Sequence, residues 1–524
     1  MNQKFTELAL NESVKPIHPG RPGHIPFWNI HARRAIYAPV FYNELGANAD
    51  HYVYSLVSEK GSTTYQFEAE CPWAALTPVW KDVSAGRLSL TVQGMDRSGN
   101  RIPSAFTEKV FLKSSSFRGV TNRASYGYDE SGMRCLKALL YEDTFQTWLR
   151  TGKPNPEYPL WVHPSKIVGA VIAGMSFYAN ATTDSSEAAM SREIALRAGD
   201  FLLSLREPEG RPLEFWTHSY WDGVPRGNHP IYMTQIMTNY PAEAALAFFD
   251  LYDATGETRF YEAGYRIALT YRNRQREDGT WPQLLDIRTG ESVKNFLLIP
   301  VMVIKLFDRM ISQYDMHDFA DARERAFQWC MVNPMKTYNW QGQFEDTRPK
   351  SAYQNMSRAE AVEMVVYLLD EVNDHPEYLE LGLELLRFAE DQFVVWNQDD
   401  PVLFTNWFKE GSHWNGNDPD NGKDWFLPCV LEQYKFYTPI SRSNSTMMLA
   451  HLKAWEVTSE NIYLAKAVAL ANTITNAQAF HGGGVIPTHL RKTLPELNWL
   501  NCAVYPAMTL IRNAGKLNRY SASK

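Results

Sequence analysis

The chain has 524 residues, 44% of them hydrophobic and 21% charged, which excludes a disordered chain and is too long for one ordinary core. Two domains or one large toroidal domain are expected. Net charge is −7 with dispersed basic residues, which argues against nucleic acid and anionic membrane as partners but leaves room for a local basic pocket for an acidic sugar.

The opening stretch "MNQKFTELALNESVKP" lacks the apolar core of a signal peptide, and no apolar run of about 18 residues occurs. The expected location is cytoplasmic, or periplasmic or secreted where a signal peptide has been removed. Residues 1–29 include the Pro- and Gly-rich "HPGRPGHIPFWN" and read as an extended arm. Residues 30–116 alternate with period two in "AIYAPVFY", "HYVYSLVSE", "TTYQFEAE", "GRLSLTVQGMD" and "EKVFLKSS", separated by turn signals. That spacing predicts a small antiparallel β-sandwich of immunoglobulin or fibronectin type III character. Residues 117–133 read as a linker.

From residue 134 to 524 the period becomes helical. Twelve helices are predicted, near 134–150, 164–180, 185–206, 239–254, 257–276, 295–313, 317–333, 357–373, 376–395, 442–456, 459–477 and 497–514. Connections alternate between short ones, such as "TGET" and "NDHP", and long ones at about 207–238, 277–294, 334–356, 396–441 and 478–496. In a ring of antiparallel hairpins alternate connections fall on opposite faces, so the long loops share one face. Long loops are uncommon without function. Helices 239–254 and 295–313 are apolar round much of their circumference and read as inner, while 257–276 and 376–395 have broad polar faces and read as outer. The fold class is mainly α: an (α/α)6 barrel, a six-hairpin toroid, preceded by the β-sandwich.

The second long loop opens with "DGTWPQ", residues 278–283. Its Trp either packs on the core at the end of a helix or faces a ligand. With this motif and the hairpin layout over 134–514, the chain resembles the six-hairpin glycosidase-like superfamily, and with its N-terminal strands it resembles bacterial glucuronidase-type hydrolases and polysaccharide lyases. The resemblance implies that Asp278, Gly279, Trp281 and Gln283 wall a substrate cleft.

Aromatic residues make up 13%, with 16 Trp, many in polar loop-like stretches where they could stack on sugars or fill a large core. The loop 207–238 gathers Trp216, His218, Tyr220, Trp221, Asp222, Arg226 and His229, with Tyr240 just beyond. Clustered titratable groups mark sites more often than single ones. In 334–356, Glu345 and Asp346 follow Tyr338 and Trp340 and precede Arg348. An aromatic wall can raise one carboxyl pKa while an Arg keeps another ionised; a capped surface turn is the competing reading. The loop 396–441 adds Trp407, His413, Trp414 and Trp425 as lining for a sugar subsite, and 478–496 adds His481 and His489 beside a Gly run. The oxygen-rich "NGNDPDNG" lacks the order of a calcium loop, and Cys71, Cys135, Cys330, Cys429 and Cys502 are isolated, so neither a metal nor another cofactor is expected. Arg358, Glu360 and Glu363 open a helix, where acids commonly serve the helix dipole, and are read as capping.

The leading expectation is a glycoside hydrolase acting on a uronic-acid-containing glycan, such as a β-glucuronidase, with an oligosaccharide or polysaccharide as its partner. Asp222 would pair with Glu345 or Asp346 as acid and base, and His218 or His229 with Arg226 or Arg348 would hold the substrate carboxylate. The alternative is a polysaccharide lyase, in which Tyr220, Tyr240, His218 or His229 abstracts a proton and Arg226 neutralises the uronate. A second alternative is a noncatalytic glycan-binding protein. Oligomeric state is left open.

Overall fold

A computed structural model describes residues 2–17, 32, 34–41, 49–59, 63–225, 233–344, 353–401, 424–434, 437–493 and 498–522. After helix α1 (Asn2–Ser13) come four strands, β1 (His51–Ser58), β2 (Thr64–Ala69), β3 (Gly86–Met95) and β4 (Arg101–Lys113). They form one antiparallel sheet in the order β2-β1-β3-β4. Alternation turns Tyr52, Tyr54 and Leu56 of β1, with Leu88, Leu90 and Val92 of β3, to the buried face.

No second sheet faces this one among the described residues, so an antiparallel sheet is shown and the sandwich expected from the period-two pattern is not. The described part of "AIYAPVFY", residues 35–41, makes only isolated bridges, at Ala35 and Val40. Its backbone is used elsewhere: the amides of Ile36 and Tyr37 donate to the Asp391 carboxylate, and Trp80 Nε1 donates to Ile36 O at 2.9 Å. A chain whose donors are committed to a carboxylate cannot also run as a ladder strand. One hydrophobic core runs from Phe5 through the sheet and on to Tyr520.

The helices that follow are α2 (Tyr128–Tyr141), α3 (Asp143–Thr151), α4 (Pro164–Ala181), α5 (Ser185–Ser204), α6 (Tyr240–Thr255), α7 (Thr258–Arg274), α8 (Val301–Tyr314), α9 (Ala320–Val332), α10 (Ala359–Asp370), α11 (Tyr378–Phe393), α12 (Ser441–Thr458), α13 (Asn461–Phe480) and α14 (Leu500–Ala522). Successive pairs pack as hairpins: α4 with α5, α6 with α7, α8 with α9, α10 with α11, and α12 with α13. The sixth pair joins the two ends of the helical region, α14 with α2. The even-numbered helices from α4 to α14 touch in turn, and α14 returns to α4, so they form a closed inner ring. The expected helix 134–150 is two helices instead, because Glu142 adopts extended backbone (φ −69°, ψ 145°) between α2 and α3.

Local chemistry explains the hairpins. The α4 sequence "PSKIVGAVIAGMSFYANA" is buried nearly all round, as an inner helix requires, and opens with Pro where no amide partner is needed. The Asp184 carboxylate accepts from the Ser186 and Glu187 amides and starts α5. Gly174 lets α14 close the ring, since a Cβ there would stand 2.6 Å from Val504 Cγ1.

A buried ionic network ties α1 and the 34–41 segment to the outer helices. Lys466 of α13 bonds both Glu12 (3.0 Å) and Glu390 (2.9 Å), and Arg34 donates to Asp391 O at 2.8 Å. Burial opposes ionisation of Glu12, but Lys466 outweighs it and holds the Glu12 carboxyl below its ordinary value. Among the described residues no helix is long and apolar enough to cross a membrane.

Candidate functional site

The segments entering the inner helices are laced together at one end of the ring. Strand β5 (Gln235–Met237) of one pairs with β6 (Leu284–Asp286) of the next. Ser357 bridges Gln433, Ile440 bridges His489, and Trp425 bridges Arg491. Successive long segments therefore share one face, and the inner helices begin beneath it.

That face concentrates charge on otherwise apolar helices. From α10 come Glu360 and Glu363, with Arg358 at its N-cap; from α8 comes Lys305, from α12 Arg442, from α6 Glu243 and from α4 Lys166. Glu432 reaches the same place just after strand β7 (Cys429–Val430). Arg358 Nη2 donates to both Glu432 carboxylate oxygens at 3.2 and 3.0 Å, and Ser443 Oγ donates to the same carboxylate. Arg358 Nη1 also donates to Thr446 Oγ1 at 2.7 Å. Lys305 Nζ is hydrogen bonded to Glu363.

The three carboxyl groups differ in protonation because their surroundings differ. Burial pushes Glu360 up to about 8; a hydrogen bond from its own backbone amide, then the Arg358 charge, only partly oppose this, and the Glu432 and Glu363 charges add to it. Its Oε2 is buried without a hydrogen-bond partner. Burial works against ionised Glu432 too, but Arg358, the Ser443 hydroxyl and Arg442 outweigh it and hold the carboxyl below its ordinary value. Glu363 is likewise held down against burial, by Lys305 first. At neutral pH Glu360 carries a proton beside two carboxylates.

Further buried polar atoms at this end lack partners among the described residues: Asn239 Oδ1, the Gln341 side-chain amide, Arg358 Nε, His489 Nδ1 and Asn501 Oδ1. Buried polar atoms are ordinarily satisfied, so these atoms leave donors and acceptors here for water or a ligand to meet. Half-buried rings border the charges. Lys166 Nζ stands 4.7 Å from the Trp499 ring and 5.4 Å from that of Phe344, and Arg442 lies 4.5 Å over Tyr505.

The residues expected from sequence divide into several groups. Trp216, Trp281 and Trp340 are fully buried and have no surface to offer a ligand; Trp281 Nε1 donates to Tyr271 O at 3.0 Å. The structure thus places these three expected substrate contacts, Trp281 of the expected cleft wall among them, in the core. Tyr338 packs on Phe388 of α11 with centroids 4.9 Å apart, and Trp425 is 4% exposed, so these too are packing residues. Trp221 packs edge-on against Phe201. Asp278 is bonded to Arg276 and to the Thr280 amide, which holds its carboxyl down and forms the turn.

Asp222 is exposed and makes no hydrogen bond among the described residues, while His218 is bonded to Glu207. His481 Nε2 is 2.7 Å from Arg491 O, at the end of outer helix α13. Tyr240 and Gln283 are buried at the floor; Gln283 Nε2 reaches Gln343 O at 3.5 Å. Tyr220 does approach the site, its ring 5.6 Å from His163, which stacks on Trp499 at 5.8 Å. His489 does so as well, and burial with the Arg491 charge lowers it to about 4. Arg226, His229, Glu345, Asp346, Arg348, Trp407, His413 and Trp414 lie outside the described residues, as does "NGNDPDNG".

Sequence reasoning noticed Arg358, Glu360 and Glu363 but read them as capping. The Ala359 amide is instead taken by Ser357 Oγ at 3.0 Å, the Arg358 side chain makes no capping hydrogen bond, and Glu363 is bonded to Lys305. The missed signal was charge on a buried stripe: "RAEAVEMVV" and "SRSNSTMML" each place Arg or Glu among residues an inner helix buries. Among the described residues no group of His, Cys, Asp and Glu is arranged to hold a metal ion.

No family model matches the chain, and no curated protein matches it. Solved structures do. A family 76 glycoside hydrolase from a bovine Bacteroides thetaiotaomicron strain is 11% identical, over 91% of this chain and 95% of that one, with a TM-score of 0.49. A D-mannose isomerase is 12% identical over 74% of this chain and 100% of that one, with a TM-score of 0.49. An unsaturated glucuronyl hydrolase specific for heparin is 10% identical over 75% of this chain and 98% of that one, with a TM-score of 0.47.

Proposed function

We propose that the protein is a carbohydrate-active enzyme, a glycoside hydrolase whose general acid is Glu360. The observation that carries this reading is the split between a carboxyl raised to about 8 and neighbouring carboxylates held below their ordinary values. Glycosidic cleavage needs one carboxylic acid to protonate the leaving oxygen and one carboxylate to activate water or attack the sugar. Glu360 supplies the first. Glu432 supplies the second, kept ionised by Arg358, Ser443 and Arg442. Trp499, Phe344 and Tyr505 border these groups and hold Lys166 and Arg442 against their rings. The substrate is a uronic-acid-containing glycan, a choice favoured by the cations on the floor.

A second reading, β-elimination by a lyase, is favoured by His489: with its imidazole lowered to about 4, by burial first and then by Arg491, it is neutral at pH 7 and could accept a proton. At that value it is a weak base, so hydrolysis is preferred.

Incubation with a panel of uronic-acid-containing oligosaccharides separates the two. The hydrolase reading expects products heavier by one water without new ultraviolet absorbance. Absorbing, unsaturated products with no water added would replace it with the lyase.

A further inference from the structure

Arg442 is the second residue of α12, and its guanidinium is stacked 4.5 Å over the Tyr505 ring of α14. Among the described residues no carboxylate comes within 4.0 Å of it, and it makes no side-chain hydrogen bond. Its neighbours are different: Arg358 is paired with Glu432, and Lys305 with Glu363. Glu243 and Glu363 act on Arg442 only from beyond ion-pair distance. A guanidinium held at a half-buried floor loses hydration and regains it only from a partner. The contact with the Tyr505 ring uses none of the guanidinium N–H groups, which remain as donors of the kind that match a carboxylate. Glu432 and Glu363 each have their own cation, and Glu243, the carboxylate acting most on Arg442, does so from beyond ion-pair distance.

We propose that Arg442 is an anion subsite that receives the carboxylate of a uronic acid unit and so determines the enzyme's preference for acidic over neutral sugars. Tyr505 orients the guanidinium, and the sugar ring is held on the floor that carries Glu360. The assignment rests on the reading of this face as a glycan site, and it gives a specificity role to a residue that the sequence motifs did not mark.

The test is calorimetric titration of the full chain with a glucuronate-containing disaccharide, its glucose-containing counterpart and a sulfated neutral disaccharide. Wild type, Arg442→Gln, Arg442→Lys and Glu360→Gln are compared, with thermal melts to verify folding. Arg442→Gln should weaken uronide binding by roughly tenfold or more while changing neutral-sugar binding by less than about twofold. Arg442→Lys should fall between, since an ammonium supplies the charge without the fork. Equal loss for both sugars, or unchanged uronide affinity in folded Arg442→Gln, overturns the subsite. So does a wild-type protein that binds no uronide. Arg442-dependent binding of the sulfated sugar in place of the uronide overturns the carboxylate assignment. If the uronide binds through Arg442 and is never cleaved, the subsite stands and the hydrolase reading falls. Glu360-dependent hydrolysis with no preference for the uronide gives the reverse.

Discussion

Replacing Glu360 by Gln should stabilise the protein at alkaline pH while removing its acid. Glu360 is raised from an ordinary 4.5 to about 8, burial being the largest cause. Between these values the folded chain holds a proton that the unfolded chain has released. Stability therefore falls as pH rises from about 4.5, and the full loss is reached above about 8. Each tenfold step in proton affinity is worth about 1.4 kcal/mol, which gives roughly 4 to 5 kcal/mol for a wholly desolvated group. The face is partly open to solvent, so screening reduces the expected loss to about 2 to 3 kcal/mol at pH 9. Glu360→Gln keeps the shape and cannot ionise, so it should match wild type at pH 5 and exceed it by about that amount at pH 9. Urea unfolding at pH 5, 7 and 9 measures this directly. Parallel pH dependence for the two proteins would refute the raised pKa, and with it the reason for choosing Glu360.

Two further perturbations test the frame around the site. His451 of α12 is fully buried between Trp396 and Tyr463, with neither ring nitrogen hydrogen bonded among the described residues, and burial with the Lys466 charge holds it well below 6.5. The unfolded chain takes up that proton below pH 6.5 and the folded chain does not, so His451→Leu should gain on wild type by up to about 1.4 kcal/mol per pH unit as pH falls from 6.5; a constant gap in acid melts would contradict this. Gly279 sits at φ +96°, and a Cβ there would lie 2.2 Å from Arg325 O, so Gly279→Ala should cost about 2 to 4 kcal/mol in urea unfolding. A change under about 0.5 kcal/mol would mean that the turn relaxes freely.

The alternation of short and long connections gave away the hairpin ring, because a connection's length is written locally and its consequence is geometric. The pairing of α14 with α2 follows from the same count. The sheet was legible where alternation matched a ladder, as in β1 and β3, and failed at residues 35–41, where a carboxylate remote in sequence, Asp391, takes the backbone donors of Ile36 and Tyr37. Trp281 of "DGTWPQ" is core rather than cleft because its indole finds the Tyr271 carbonyl. Local residue type cannot distinguish these outcomes. Glu360 shows the same limit at the site: a first-turn acid reads as a dipole partner until the chain brings Glu432, Glu363 and a buried setting around it.

The central claim, that Glu360 donates the proton to the leaving group, is tested most directly by the pH dependence of kcat/KM on a uronide that the protein cleaves. The account predicts activity that falls about tenfold per pH unit above about 8, as the Glu360 proton is lost, and a Glu360→Gln variant reduced by at least about 100-fold on substrates with poor leaving groups. Activity that holds level to pH 10, or a Glu360→Gln enzyme that keeps the wild-type rate, would contradict it.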